Sequence, residues 1–491
     1  MITYNLLESI KLKTVYGELP SEITDIHVDS RKVKEGTMFV CTRGYTVDGH
    51  DFAAMAVEKG ATLIVAEKQL DIDLSKAALV VVKDTFKALA QLSNKYYDYP
   101  SQKLTVFGVT GTNGKTTVSN LIHSILKRSG QSSALSGTIG FNLNGELLPS
   151  ENTTCDNLTN QQMMQSALDR KIENFTLEVS SHGLALGRLW GIDFDVVAFT
   201  NLSHDHLDYH GTMEHYGYAK GLLFSQLGQD LQNPKYVILN ADDEWYHRYS
   251  YMTPHEVISY GLDAHADFKA VDIEYFNDMT KFTLNSPEGS FEVEMKLLGK
   301  FNVYNVLTAM ACLYARGMDI TRLVEIIRDL PPVNGRMEKV DMKAPLSVYI
   351  DYAHTPDAIE NAIQSVLPFK ENKIIFLVGT GGNRDKTKRP TMAEKASLAD
   401  YVILTTDDPR YEEYDSILND LEKGMQHEQY ALIGDRAEAV KHAIEVSEPG
   451  DIIIFAGKGH EDYQIIENTK YPHSDKEIAA EESQLKYGIS E

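Results

Sequence analysis

Cysteine is scarce, with three in 491 residues, Cys41, Cys155 and Cys312, and no CxxC pair among them. That spacing excludes a zinc ribbon and a disulfide framework and leaves small core or surface thiols. Long apolar runs are missing as well, and none approaches the roughly 18 residues of a membrane span. The opening stretch MITYNLLESIKLK has no apolar h-region and no small-residue cleavage site, so a cytoplasmic protein without a membrane span is expected. Positive charge is also in short supply. Lys and Arg number 47 against 71 Asp and Glu, a net charge of −24. So acidic a chain is a poor partner for a nucleic acid backbone. Any phosphate it binds must be met by a few concentrated cations and free amides. Repeats and low-complexity tracts are absent. What is present is 43% hydrophobic and 24% charged, an ordinary globular composition, and the length predicts two to four domains.

Short apolar runs alternate with helical periodicity along most of the chain. Phe39–Cys41, Leu63–Ala66 and Leu79–Val82 read as strands, and Phe86–Tyr97 as an amphipathic helix stopping before Pro100. A second group follows, with strands predicted at Leu104–Val109, Phe175–Val179, Val196–Thr200 and Tyr236–Leu239 and a helix from about Thr116 to Lys127. Phe268–Phe291 has the texture of a small antiparallel insert, and Leu307–Ala315 that of a buried helix. Pro331-Pro332-Val333-Asn334-Gly335 is the best linker. Beyond it, strands at Val348–Ile350, Ile374–Val378, Tyr401–Thr405 and Ile452–Ala456 restart the pattern. The reading is α/β, with mostly parallel sheets in domains spanning 1–101, 102–334 and 335–491.

The strongest chemical signal is Gly108-Val109-Thr110-Gly111-Thr112-Asn113-Gly114-Lys115-Thr116-Thr117, between a predicted strand and a predicted helix. Glycines there let the backbone approach phosphates, and the free amides of the helix start point at them. Lys115 would reach the β and γ phosphates of ATP and Thr116 would bind Mg²⁺. The plain pattern G-x-x-x-x-G-K-[ST] fails, because its first glycine falls on Val109. The variant G-x-x-G-T-N-G-K-T-T instead resembles the ATP-binding loop of the Mur ligases, the amide-bond-forming ligases of peptidoglycan synthesis.

The resemblance extends along nearly the whole chain. It implies an N-terminal domain for the UDP substrate, a central P-loop ATPase-like domain and a C-terminal Rossmann-like domain for the amino acid. Glu178 of Glu178-Val179-Ser180-Ser181-His182 matches a family glutamate serving the metal and the acyl-phosphate step. His206 of Asn201-Leu202-Ser203-His204-Asp205-His206-Leu207-Asp208 matches a magnesium ligand. Lys220 matches a lysine carbamylated by CO₂, which needs a neutral amine. Lys115, Glu178, His206 and Lys220 are thus the implied catalytic set. Nucleotide contacts are implied for Gly111, Thr112, Asn113, Gly114, Lys115, Thr116 and Thr117. Asn302 reads the adenine edge in this scheme, and Arg336 and Asp351 reach the nucleotide from beyond the linker. On the acceptor side the matches are Ser30, the turn Asn152-Thr153-Thr154, Ser180 and Arg188. Proline usually follows that turn in the family; here Cys155 does.

Within the family the likeness is closest to ligases that add a diamino acid to UDP-N-acetylmuramoyl-L-alanyl-D-glutamate. Asp407-Asp408-Pro409-Arg410 occupies the selecting position, where enzymes specific for meso-diaminopimelate show D-N-P-R. An arginine fork suits the distal carboxylate that lysine lacks. Arg384, Gly457, Gly459 and Glu461 complete that pattern, so meso-diaminopimelate is the expected substrate. Asp408 departs from it and favours a substrate ammonium, which keeps L-lysine as the alternative. A monomer is expected. A reading of another class, a non-catalytic nucleotide-binding scaffold, is opposed by the intact Lys115, Glu178, His206 and Lys220.

Overall fold

The computed structural model describes residues 1–44, 47–150 and 152–488. The chain divides into two compact units, residues 1–108 with 131–195, and residues 109–130 with 196–491. The division cuts the strand Thr105–Thr110 after Gly108. The fold is α/β throughout, as the alternating pattern predicts.

In the first unit a five-stranded sheet runs in the order Lys13–Tyr16, Ala78–Val82, Ala61–Ala66, Thr37–Val40, Ile26–His27. Only the Lys13–Tyr16 edge is antiparallel. Both faces are covered. Met38, Val40, Leu63, Val65 and Val80 pack with Leu89 and Leu92 of the helix Thr85–Tyr96. Phe39, Ile64, Ala66 and Leu79 pack with Ala53 and Ala56 of Ala53–Glu58. This is why these strands read as continuous apolar runs. The same unit holds Asn174–Glu178 beside Ser133–Gly137 in parallel, followed by antiparallel Gly140–Leu143 and Glu146–Leu148.

In the second unit Val196–Phe199, Tyr236–Asn240, Glu256–Gly261 and Phe268–Tyr275 succeed one another in parallel. Thr280–Ser286 and Gly289–Met295 then extend the same sheet antiparallel. The alternating segment from 268 is therefore a sheet extension rather than a separate insert. Beyond the linker a six-stranded sheet has the order Glu338–Lys339, Ser347–Asp351, Ile452–Ala456, Ile374–Thr380, Tyr401–Thr406, Tyr430–Leu432. All its pairs are parallel except the first. Thr355 caps the helix Pro356–Val366 and Asp435 caps Arg436–Val446, each side chain accepting the amide three residues on. A hairpin, Tyr463–Ile466 with Thr469–Pro472, stands apart as a two-stranded sheet. Among the described residues no helix is long and apolar enough to cross a membrane.

Ile454 lies in the centre of the C-terminal sheet, opposite Tyr349 on one side and Phe376 on the other, and is fully buried. Ile454→Ala should cost about 2–5 kcal/mol, read as a lower denaturant midpoint for the transition that reports this sheet.

Candidate active site

The phosphate loop is held open by its own backbone. Gly111 has φ +147° and a Cβ there would lie 1.8 Å from Thr200 Oγ1. Gly114, at φ +90°, starts the helix Lys115–Arg128 and a Cβ would meet Asn305 Oδ1 at 2.4 Å. No other residue type fits at either position. The strand end at 200–203 clamps the loop from outside. Thr112 N–H donates to Asn201 O at 2.8 Å and Asn113 N–H to Asn201 Oδ1 at 3.0 Å. Thr200 Oγ1 donates to Asn113 O at 2.6 Å.

Two lysines converge on one carbonyl of that loop. Lys115 Nζ donates to Gly111 O at 2.9 Å and to Thr112 O at 2.8 Å. Lys220 Nζ, projecting from the helix Met213–Ser225, donates to the same Gly111 O at 2.7 Å. Lys220 is 1% exposed. Burial, with the Lys115 ammonium beside it, pushes its amine well below the usual lysine range, and Asp205 opposes this. Tyr216, one turn earlier, sets its ring centroid 4.5 Å from Lys220 Nζ and its hydroxyl 3.2 Å from Thr112 Oγ1. His206 sits in the left-handed region at φ +54°, its Nε2 3.3 Å from Asp205 Oδ2.

Beside the loop is a cavity of about 340 Å³. Asn113, Gly114 and Thr117 line it together with Asn305, Arg336 and Asp351. Arg336 Nη2 donates to Thr116 Oγ1 at 3.0 Å, and its guanidinium lies 4.6 Å from the Tyr352 ring centroid. Asp351 accepts Met337 N–H at 2.7 Å, and burial raises its carboxyl above the usual range against the pull of Arg336. Asn302 does not line the cavity. Its amide donates to Leu298 O at 2.8 Å, and its oxygen accepts Asn305 Nδ2 at 3.0 Å. Asn305, the second asparagine of the motif, is the one at the wall.

Other matched residues gather within the first unit. Glu178, 1% exposed, accepts the amide and hydroxyl of Thr138, each at 3.0 Å. Gly137 leaves it room, since a Cβ there would fall 2.1 Å from Glu178 Oε1. Thr154 Oγ1 donates to Glu178 O at 2.8 Å and accepts Ser180 N–H at 2.9 Å. Arg188 Nη1 donates to Thr154 O at 2.9 Å, and Thr153 Oγ1 lies 3.1 Å from Thr138 Oγ1. Ser180 Oγ caps the turn at Gly183. Asn152 is exposed, and Ser30 is buried near Met55. The sequence signal for Thr138 is slight, no more than its place in Ser136-Gly137-Thr138 at the end of a strand.

The predicted selector forms a charged nest. Asp408 accepts Lys458 Nζ at 2.9 Å and Ile465 N–H at 3.0 Å, and its other oxygen lies 3.6 Å from Arg410 Nη2. Arg410 has φ +51° and donates to Gly382 O at 3.2 Å. Lys458, 1% exposed, also donates to Glu461 at 2.7 Å. Asp407 lies 3.8 Å from Arg436 and 4.0 Å from Lys458. Burial pushes the Asp407 carboxyl up to about 6 against both cations. The hairpin pins this turn, with Gln464 Nε2 donating to Asp407 O at 2.6 Å and Arg410 N–H to Ile465 O at 3.1 Å. Pro409 is buried, Arg384 is exposed, and Gly457 and Gly459 both take positive φ. Nothing in the sequence marks Lys458, Arg436 or Gln464, for their signal lies in tertiary pairing.

Models of three family domains match the chain: "Mur ligase family, catalytic domain" over residues 22–97, "Mur ligase middle domain" over 109–313 and "Mur ligase, glutamate ligase domain" over 335–459. A UDP-N-acetylmuramyl-tripeptide synthetase 2 of Oceanobacillus iheyensis is 52% identical, covering 98% of both chains. A UDP-N-acetylmuramoyl-L-alanyl-D-glutamate–L-lysine ligase of Staphylococcus haemolyticus is 44% identical, again over 98% of both. Among solved structures, a UDP-N-acetylmuramoyl-L-alanyl-D-glutamate–2,6-diaminopimelate ligase superposes with a TM-score of 0.68 at 32% identity, covering 98% of this chain and 99% of that one.

Gly111→Ala should weaken nucleotide binding by about tenfold or more in calorimetry, through strain and the Thr200 clash. A second expectation concerns pH. Asp407 is ionised only above about pH 6, so binding of an ammonium ligand that uses its charge should weaken as pH falls through that value. The fold should respond in the opposite sense. A raised carboxyl destabilises when ionised, so this contribution to stability is lost as pH rises from about 4 to about 6. Asp407→Asn should remove both dependences.

Proposed function

The chain belongs to the Mur ligase family, and we propose that it is the ATP-dependent ligase that joins a diamino acid to UDP-N-acetylmuramoyl-L-alanyl-D-glutamate in peptidoglycan precursor synthesis. The observation that carries this reading is the convergence of Lys115 and Lys220 on Gly111 O, beside a cavity walled by residues on both sides of the linker. In this scheme the D-glutamyl side-chain carboxylate attacks the γ phosphorus of ATP, giving an acyl phosphate and ADP. The amine of the incoming amino acid then attacks the acyl carbon and phosphate departs. Lys115 would exchange its loop carbonyls for phosphate oxygens and neutralise the charge that develops there. Arg336 and Asp351, from beyond the linker, would couple nucleotide binding to the C-terminal sheet. In the first unit Thr138, Thr154 and Arg188 would fix Glu178 and the acceptor turn at 152–154.

The nature of Lys220 supports the carbamate. Only a free amine adds CO₂, and burial beside Lys115 favours that form. Among the described residues no three His, Cys, Asp or Glu side chains stand together as a metal site. A carboxylate created on Lys220 would add a hard oxygen donor to His206 and Thr116. Mg²⁺ bound by them would supply Lewis-acid charge neutralisation at the phosphates.

For the added amino acid the geometry favours L-lysine. Asp408 faces Arg410 and neutralises the fork that a second substrate carboxylate requires, and Asp407, Asp408 and Glu461 set three carboxylates around the single ammonium of Lys458, which favours a further cation over a further anion. The second reading, meso-diaminopimelate, rests on Arg410 and Arg384, which both remain in this region.

The test is mass spectrometry of the nucleotide product after incubation with ATP, Mg²⁺, the UDP-muramoyl-dipeptide and each amine in turn. Lysine addition is expected. Exclusive use of diaminopimelate would reverse the preference, and no product from folded, ATP-binding protein would remove the ligase reading in favour of a scaffold. Asp408→Asn should move the ratio of kcat/KM values toward diaminopimelate by about tenfold or more, the worth of one partly buried charge pair.

A further inference from the structure

Lys388 has no part in the chemistry above, yet it is a buried cation aimed at the loop that carries His206. It precedes the helix Arg389–Ala396 and is 9% exposed. Among the described residues its ammonium meets one acceptor, Asp205 Oδ1, at 3.4 Å. Good ammonium–carboxylate bonds are about 2.7–2.9 Å, and an ammonium has three donors. Asp205 is itself shared, since Oδ1 also takes His206 N–H at 3.0 Å and Oδ2 faces His206 Nε2 at 3.3 Å. His354 lies within electrostatic reach of both Lys388 and Asp205. Its Nδ1 is bound to Tyr352 O at 2.8 Å, and it lines the 340 Å³ cavity with Asn113, Gly114 and Thr117. Lys388 therefore sits behind a wall of the cavity, loosely held, on the side facing the loop 201–208. A buried cation kept on one long bond is a poor structural element but a serviceable one for an anion that arrives later.

We propose that Lys388 is a catalytic residue of the first half-reaction, leaving Asp205 to bind an oxygen of the γ-phosphoryl group as it is transferred. This rests on the ligase reading. The acceptor carboxylate oxygen forms its bond to the γ phosphorus, the bond to the β–γ bridging oxygen breaks, and ADP leaves with the electron pair. Lys388 keeps its proton throughout and changes only its acceptor. Lys115 would serve the β and γ phosphates from the loop, and Lys388 would serve the γ group from the C-terminal side.

The test uses the full chain with Lys388→Met and Lys388→Arg. Calorimetry with Mg²⁺ gives the affinities for ADP and for a non-hydrolysable ATP analogue. Rapid quench gives the ADP burst with the UDP-muramoyl-dipeptide and no amino acid. For Lys388→Met, ADP affinity within about twofold of wild type, an analogue about tenfold weaker and a burst about 100-fold slower are expected. Lys388→Arg should recover part of both losses. Equal weakening of ADP and analogue, or recovery of the burst in Lys388→Met/Asp205→Asn, would assign Lys388 a structural pairing role and overturn the proposal. If Lys388→Met does not fold, Lys388→Arg decides it, because a phosphoryl contact predicts a selective loss for the analogue and a structural pair does not. A wild-type chain with no acceptor-dependent burst removes the ligase reading, and the two affinities still decide whether Lys388 meets the γ-phosphoryl position.

Discussion

One peptide oxygen carries the amines of two lysines. Gly111 O accepts Lys115 and Lys220 together, inside a loop too tight for any side chain at 111. Two full positive charges at that distance, out of water, repel strongly. The arrangement persists only if one amine gives up its proton or gains an anionic group. Burial selects Lys220, which is almost fully covered, whereas Lys115 is only half-buried. The loop glycines, the clamp by residues 200–203 and the ring of Tyr216 all bear on this pair and hold it in place.

The parts of the fold that were legible are those in which local pattern and global burial agree. Strands such as Ile374–Thr380 and Ile452–Ala456 are buried on both faces and read as unbroken apolar runs. The short edge strands Lys13–Tyr16 and Ile26–His27 are silent in the sequence, because an edge has little apolar surface to declare itself. The hairpin at 463–472 is half-exposed and escaped for the same reason. The site was legible where backbone geometry dictates composition, as at Gly111 and Gly114. It was less so where roles depend on pairing. Asn302 and Asn305 stand three residues apart in one motif, and which of them reaches the cavity is decided by helix phase against Leu298. Lys388, Lys458 and Arg436 look like surface charges in a sequence and are buried ion partners in the fold.

The two halves of the selector differ in what holds them. Asp407 and Arg410 are held at their backbones, by the Gln464 side chain and by Ile465 O, while Asp408, Lys458 and Glu461 hold one another, with Ile465 N–H also on Asp408. Backbone geometry sets where the fork points. The charge network sets what the fork has left to offer.

That network constrains descent as well as binding. Lys458 is shared, so the effect of exchanging Asp408 depends on whether Glu461 is still present, and the reverse. Removing either acid leaves Lys458 better able to satisfy the other, whereas removing Lys458 first strands both acids in a buried pocket. Passage of such a ligase from one diamino acid to another is thereby ordered: a neutral residue at 408 is an accessible first step, and loss of the lysine at 458 is a dead end unless an acid has already gone. Lineages should differ most at the acids and least at the cation between them.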